Sequence, residues 1–192
     1  MKKNLITSVL MTIVTTVLLG LIYPLMVTAL AQVFFRDKAN GQLVQRNGTV
    51  VASRIIAQPF VGAGYFHPRP SAAGNGYDAT NSGGTNFGPT NQKLIDRVNG
   101  DVANAQAENP SKPVPADMVT TSASGLDPDI TPAAAEFQVP RIAKARGLSE
   151  DAVRALVARH TQGRQWGFFG EPRVNVLELN LSLDSATRLM VR

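Results

Sequence analysis

The sequence predicts an α+β protein: one N-terminal transmembrane helix, then a single small extracytoplasmic domain with a mostly antiparallel sheet and helices. Three observations point there. From Leu5 to Phe35 no Asp, Glu, Lys, Arg or His occurs. Asn47-Gly48 stands between Leu43-Val44-Gln45-Arg46 and Thr49-Val50-Val51, the strongest short hairpin signal. Further on, Thr131-Pro132 and Ser149 each open a segment of helical apolar period, and Val174 to Leu181 reads as the best strand of the chain.

The apolar run comes first. As a helix it would reach roughly 45 Å, against a hydrocarbon core of about 30 Å. Pro24 lies inside it and is tolerated better in lipid than in water. Lys2 and Lys3 precede the run, Arg36, Asp37 and Lys38 close it, and Phe34 and Phe35 sit where interfacial aromatics are expected. A cleaved secretory signal is the rival, since Ala29-Leu30-Ala31 imitates a cleavage site. A signal core is about 7 to 15 residues long, and this run is much longer. The expected division is a cytoplasmic tail at 1–4, a transmembrane helix at 5–35 and a periplasmic or extracellular domain at 36–192, in the cell inner membrane. Ser8, Thr12, Thr16, Gly20, Pro24 and Thr28 recur every four residues. Small residues at that spacing let backbones approach closely, so Ser8, Thr12, Thr16 and Gly20 are candidates for contact with a partner's helix. Each hydroxyl could instead bond its own helix.

Beyond the hairpin, Ser53 to Ala57 could add a strand. Phe60 to Thr90 is rich in Gly, Asn, Ser and Pro and reads as one long loop, its spaced aromatics favouring an ordered, docked course. Asn91 to Ala107 follows a helical period, Asn109 to Pro115 is a connector, and Met118 to Thr121 could be a short strand. Pro140 is expected to bend or restart the helix opened by Thr131, and Gly147 to end it. The helix after Ser149 presents Val153, Leu156 and Val157 on one face.

Composition narrows the chemistry. The chain has 192 residues, 44% hydrophobic, and a formal charge of +5. Setting Lys2 and Lys3 aside from the 19 basic residues leaves 17 against 14 acidic ones, with no dense basic run of the kind nucleic acid requires. Cysteine is absent, which excludes disulfides, thiolate catalysis and Cys-ligated metals. The two histidines, His67 and His160, are too few and too far apart for a metal site of the usual three ligands. No phosphate-cradling Gly-Lys motif and no nucleophile elbow occur, so no catalytic residue is assigned. In the long loop Phe66, Tyr77 and Phe87 are expected apolar anchors. Arg69, held between Pro68 and Pro70, is expected to meet a carboxylate, with Asp78 and Asp127 as candidates within the domain. Trp166, Phe168 and Phe169 could fill a core or serve as a docking anchor.

Several long motifs carry a resemblance. Tyr65-Phe66-His67-Pro68-Arg69-Pro70-Ser71-Ala72, Ser82-Gly83-Gly84-Thr85-Asn86-Phe87-Gly88-Pro89-Thr90-Asn91, Thr121 to Asp127 with Ile130-Thr131-Pro132, Gln138 to Arg146, and Gly170 to Leu177 with Leu179-Asn180-Leu181 occur in order. Together they resemble the C-subunit family of the bacterial Kdp-type potassium-transporting ATPases, over nearly the whole chain. The resemblance implies an accessory, assembly and stabilising subunit of a high-affinity potassium uptake pump. Its implied partners are a potassium-channel-like subunit, a P-type ATPase subunit and a very small membrane subunit. The family is described as raising the ATP affinity of the ATPase subunit, so ATP is implied through the family alone, and Gln138 and Arg141 are where a nucleotide role would be carried. The phosphorylation motif of P-type ATPases is missing; Asp37-Lys38 is followed by Ala39. An outward domain could not touch cytoplasmic ATP, so any effect would pass through the membrane helices. A secreted hydrolase and a direct nucleotide-binding regulator stand as the alternatives.

Overall fold

The computed structural model describes residues 1–190, the last four by backbone alone. They form two compact units, divided between Val51 and Ala52.

In the first unit, α1 (Lys2–Thr15), a π-helical segment (Thr16–Ile22) and α2 (Tyr23–Phe34) run on as one helix. It is 33 residues long, its apolar stretch reaches a mean hydropathy of 2.4, and it is long and apolar enough to cross a membrane. The π segment has a cause. Pro24 lacks an N–H, and its ring crowds the carbonyl four residues back, that of Gly20. Widening the turn relieves the clash, and the Tyr23 N–H reaches back five residues to the Leu18 carbonyl. Ser8 and Thr12 donate their hydroxyls to Leu5 and Ser8 carbonyls of their own helix. Thr16 and Gly20 lie in the π segment. After a short α3 (Arg36–Ala39), β1 (Leu43–Arg46) and β2 (Thr49–Ser53) form the expected hairpin. Its turn residues have φ of +54° at Asn47 and +80° at Gly48, as a tight primed turn requires. The strand does not continue to Ala57. The Ser53 hydroxyl accepts the Ile55 N–H and the Ile56 N–H bonds the Ser53 carbonyl, which turns the chain.

In the second unit a long irregular segment leads to α4 (Gln92–Glu108), capped by the Asn91 side chain accepting from the Lys93 N–H. A single 3₁₀ turn, Ala116–Met118, stands where a strand through Thr121 was expected. α5 (Pro132–Arg146) begins where the Thr131 hydroxyl accepts the Ala134 N–H, passes through Pro140 without interruption and ends at Gly147, φ +64°. α6 (Glu150–His160) is capped by Ser149, with Glu150 and Asp151 in its first turn and Arg159 and His160 in its last, matching its dipole.

The sheet is small. β3 (Asp129–Ile130) and β4 (Thr161–Gln162) flank β5 (Arg173–Asn175), all antiparallel, with Ile130 and Thr161 both opposite Val174. The strand expected from Val174 to Leu181 stops at Asn175 and becomes α7 (Val176–Met190). The Asn175 carboxamide oxygen accepts the Glu178 N–H and caps the turn. Val176, Leu179, Asn180 and Leu183, all buried, then share one helical face. α5, α6 and α7 close over β5 around a core of Phe66, Phe137, Ile142, Val153, Val174 and Leu179.

Candidate functional site

The long loop is where the domain concentrates its polar side chains, and two helices hold it. Phe66 is fully buried in the core. An irregular segment there has no ladder to satisfy its amides, and side chains supply one. Asn180 of α7 accepts the Phe66 N–H at 2.8 Å and donates to the Phe66 carbonyl at 2.9 Å. Gln138 of α5 does the same for His67, accepting from its N–H at 2.8 Å and donating to its carbonyl at 3.1 Å. Arg141, one turn on, donates to the carbonyls of Ala63 at 2.6 Å and Tyr65 at 2.9 Å, to Gln138 Oε1 at 2.6 Å and to Glu108. Arg146 donates to the Gly64 carbonyl, pairs with Asp184 at 2.9 Å and lies over the Tyr65 ring.

The next stretch is tied to residues 117–127. Arg69 fans out: Nε to the Thr120 carbonyl, Nη2 to the Thr120 hydroxyl and Thr121 carbonyl, and Nη1 to Asp127 at 3.2 Å. The Tyr77 hydroxyl donates to the Arg69 carbonyl at 2.8 Å. Ser71 donates to the Gly125 carbonyl at 2.6 Å and accepts from the N–H groups of Ala73 and Tyr77. Gly125 has φ +67°, and a Cβ there would fall 2.6 Å from the Ala73 nitrogen, so only glycine allows this approach. Phe87 lies toward the end of the loop and is exposed. Asp78 bonds Thr80 locally.

Two depressions lie about Arg69. One, of about 300 Å³, is lined by Arg69, Asp117, Asp127, Asp129, Glu171 and Arg173 among others. Its charged groups have partners: Arg69 pairs with Asp127, Arg173 with Asp129 at 3.1 Å and Glu171 with Arg164 outside it, and Asp117 accepts from the Thr131 N–H and hydroxyl. Burial raises the Asp129 carboxyl above its ordinary value, against the pull of Arg173. The second, of about 360 Å³, is walled by Phe60, Pro68, Pro70, Tyr77, Met118 and His67. Burial, then the Arg141 charge, lowers the His67 pKa, and its Nε2 faces the Gly62 carbonyl at 3.1 Å. Among the described residues no group of three His, Cys, Asp or Glu could hold a metal ion.

Gln138 and Arg141 therefore stand together on one turn of α5, with the Gln138 side chain fully buried. Asn180 and Arg146 were not foreseen. Asn180 lies in a stretch whose leucines suggested a strand, and no local signal marks an asparagine that mimics a neighbouring strand.

A long apolar N-terminal helix joined to a small α+β domain, with an irregular loop clamped by its helices, defines the class of chain. The family model for the K+-transporting ATPase c chain, KdpC, matches residues 5–185. The potassium-transporting ATPase KdpC subunit of Koribacter versatilis is 73% identical over 184 residues, 96% of this chain and 95% of that one. Those of Acidobacterium capsulatum and Rhodopseudomonas palustris are 60% and 53% identical, over 95% and 97% of this chain and 98% and 100% of theirs. The chain belongs to the KdpC family.

Proposed function

We propose that the chain is an accessory, assembly and stabilising subunit of an ATP-driven potassium uptake pump. In this role the helix Lys2–Phe34 anchors it in the inner membrane with the N-terminus cytoplasmic, and the domain stands outside. The observation that carries this is the direction of the polar groups. Gln138, Arg141 and Asn180 turn their donors and acceptors onto this chain's own loop, and Arg69 ties that loop to Thr120, Thr121 and Asp127, building a rigid body suited to docking. The proposed partners are a potassium-channel-like subunit, the P-type ATPase subunit and a very small membrane subunit. In the membrane, Ser8, Thr12, Thr16 and Gly20 would face one of them.

Direct nucleotide contact by Gln138 and Arg141 would require breaking the bonds to His67, Ala63 and Tyr65. An outward domain would also be separated from cytoplasmic ATP. An influence on ATP use would then pass through the membrane helices.

The test is purification of the tagged full chain from membranes in which the whole pump is expressed, with bound chains identified by mass. Retention of the ATPase and channel-like subunits is expected, together with resistance to alkaline carbonate extraction. Recovery of the chain alone, released by carbonate with a new N-terminus at Gln32, would overturn the proposal. A cysteine introduced at Gly163 should react with an impermeant reagent added from outside.

A further inference from the structure

Between β4 and β5 the chain leaves the domain as a narrow arm. Every residue from Gln162 to Glu171 is exposed. At its tip stand Trp166, Phe168 and Phe169, 85%, 65% and 52% exposed. Their rings touch one another: Phe168 and Phe169 at 4.3 Å between centroids, Trp166 and Phe169 at 5.9 Å. These aromatics are not core.

The backbone fixes the tip. Gln165 and Phe169 exchange both N–H···O bonds at 2.9 Å, and the Gly167 N–H bonds the Arg164 carbonyl. Trp166 and Gly167 take φ of +54° and +85°, so a bulky residue sits in a left-handed conformation that disfavours it. Below the tip, Arg164 Nη2 bridges both oxygens of Glu171 at 2.7 and 2.8 Å. A rigid turn presenting clustered aromatics, their rings tilted by 40–59° to one another, has already lost the entropy that docking would otherwise remove. Buried aromatics are also the residues that dominate interfaces.

The occupant follows from charge and size. Arg164 is the only cation from Gly163 to Glu171, and Glu171 neutralises it, so the tip offers nothing to anionic lipid headgroups. Three aromatics bring roughly 450–750 Å². That falls short of the roughly 800 Å² each partner contributes to a standard interface, so the arm alone would not hold two copies together. It suits one anchor within a larger contact.

We propose that this arm inserts Trp166 and Phe168 into an apolar pocket on the water-exposed face of another subunit of the same complex. The indole N–H of Trp166 meets an acceptor at the pocket's rim. This rests on the reading of the chain as a pump subunit.

Photo-crosslinking in membranes holding the whole complex tests it, with Trp166→p-benzoylphenylalanine in the full chain. The expected adduct joins this chain to a different subunit; an adduct to phospholipid, to a second copy, or none, overturns the inference. The Trp166→Ala/Phe168→Ala chain should retain about tenfold less partner per molecule, with its circular dichroism unchanged because both side chains are exposed. Equal retention by the altered and unaltered chains removes the arm's role and leaves the subunit reading standing. If the unaltered chain retains no partner, both fall.

Discussion

Asn180 closes both amide bonds on Phe66 across 114 residues of sequence, accepting at 2.8 Å and donating at 2.9 Å. Its side chain thus does for the loop what a neighbouring strand would do. Both partners are buried, so removing the carboxamide leaves an N–H and a C=O without water or protein. Asn180→Ala should cost roughly 2–4 kcal/mol, read as a lowered midpoint in thermal unfolding of the full chain in detergent. An unchanged midpoint would mean the loop finds other partners.

Gln138 separates two roles by experiment. If it holds the loop, Gln138→Ala lowers the thermal midpoint of the full chain with no nucleotide present, by an amount comparable to Asn180→Ala. If its role is nucleotide contact alone, the midpoint without nucleotide stays where it was. The first outcome is expected, because Nε2 donates to the His67 carbonyl and Oε1 accepts from Arg141.

Arg69 serves three acceptor residues from Nε, Nη1 and Nη2 at once. Lysine offers a single nitrogen and cannot span Thr120, Thr121 and Asp127 together. Arg69→Lys should therefore destabilise by about 1–2 kcal/mol and lower the yield of assembled complex. Wild-type yield and stability in Arg69→Lys would show that the fan contributes little.

His67 gives a pH dependence of known sign. Burial and then the Arg141 charge hold its pKa below 6.5, opposed by the hydrogen bond with the Gly62 carbonyl and, less, by Glu108. The folded chain thus binds the proton less readily than the unfolded one, and stability rises with pH in this window. The contribution is complete above about pH 6.5 and is lost as pH falls through the lower folded value. His67→Gln should flatten the dependence of the unfolding midpoint between about pH 7 and 5. A profile identical to the unaltered chain would assign the acid sensitivity to other groups.

Where the deciding chemistry is local, the sequence is legible. Asn47-Gly48, Asn91, Thr131-Pro132, Gly147 and Ser149 each mark a turn or helix end that the structure contains. The apolar helix is equally plain. The stretch after Val174 misleads because Val174, Val176, Leu177, Leu179 and Leu181 mimic a strand. Its true helical face includes Asn180, which a hydrophobic pattern discards. The prolines that hold Arg69 point to a carboxylate partner, with Asp78 and Asp127 both eligible, and the fold pairs Arg69 with Asp127 while Asp78 bonds Thr80. The hold of Arg141 and Arg146 on the loop was not legible, because there they bond backbone carbonyls more than seventy residues away. Leu179→Ala, at a fully buried position, should cost about 2–5 kcal/mol, while Leu181→Ala, half-buried, should cost much less.

The clamp's order along the chain has a temporal consequence. Of these residues Phe66 is made first, Gln138 and Arg141 later, and Asn180 and Asp184 last. During synthesis the loop has no satisfied course until α7 arrives, and contacts so distant in sequence close slowly. The nascent domain therefore stays open, its apolar Phe66 segment unburied, until Asn180 has been made. Any chain that stops before Asn180 leaves that segment open to aggregation and proteolysis.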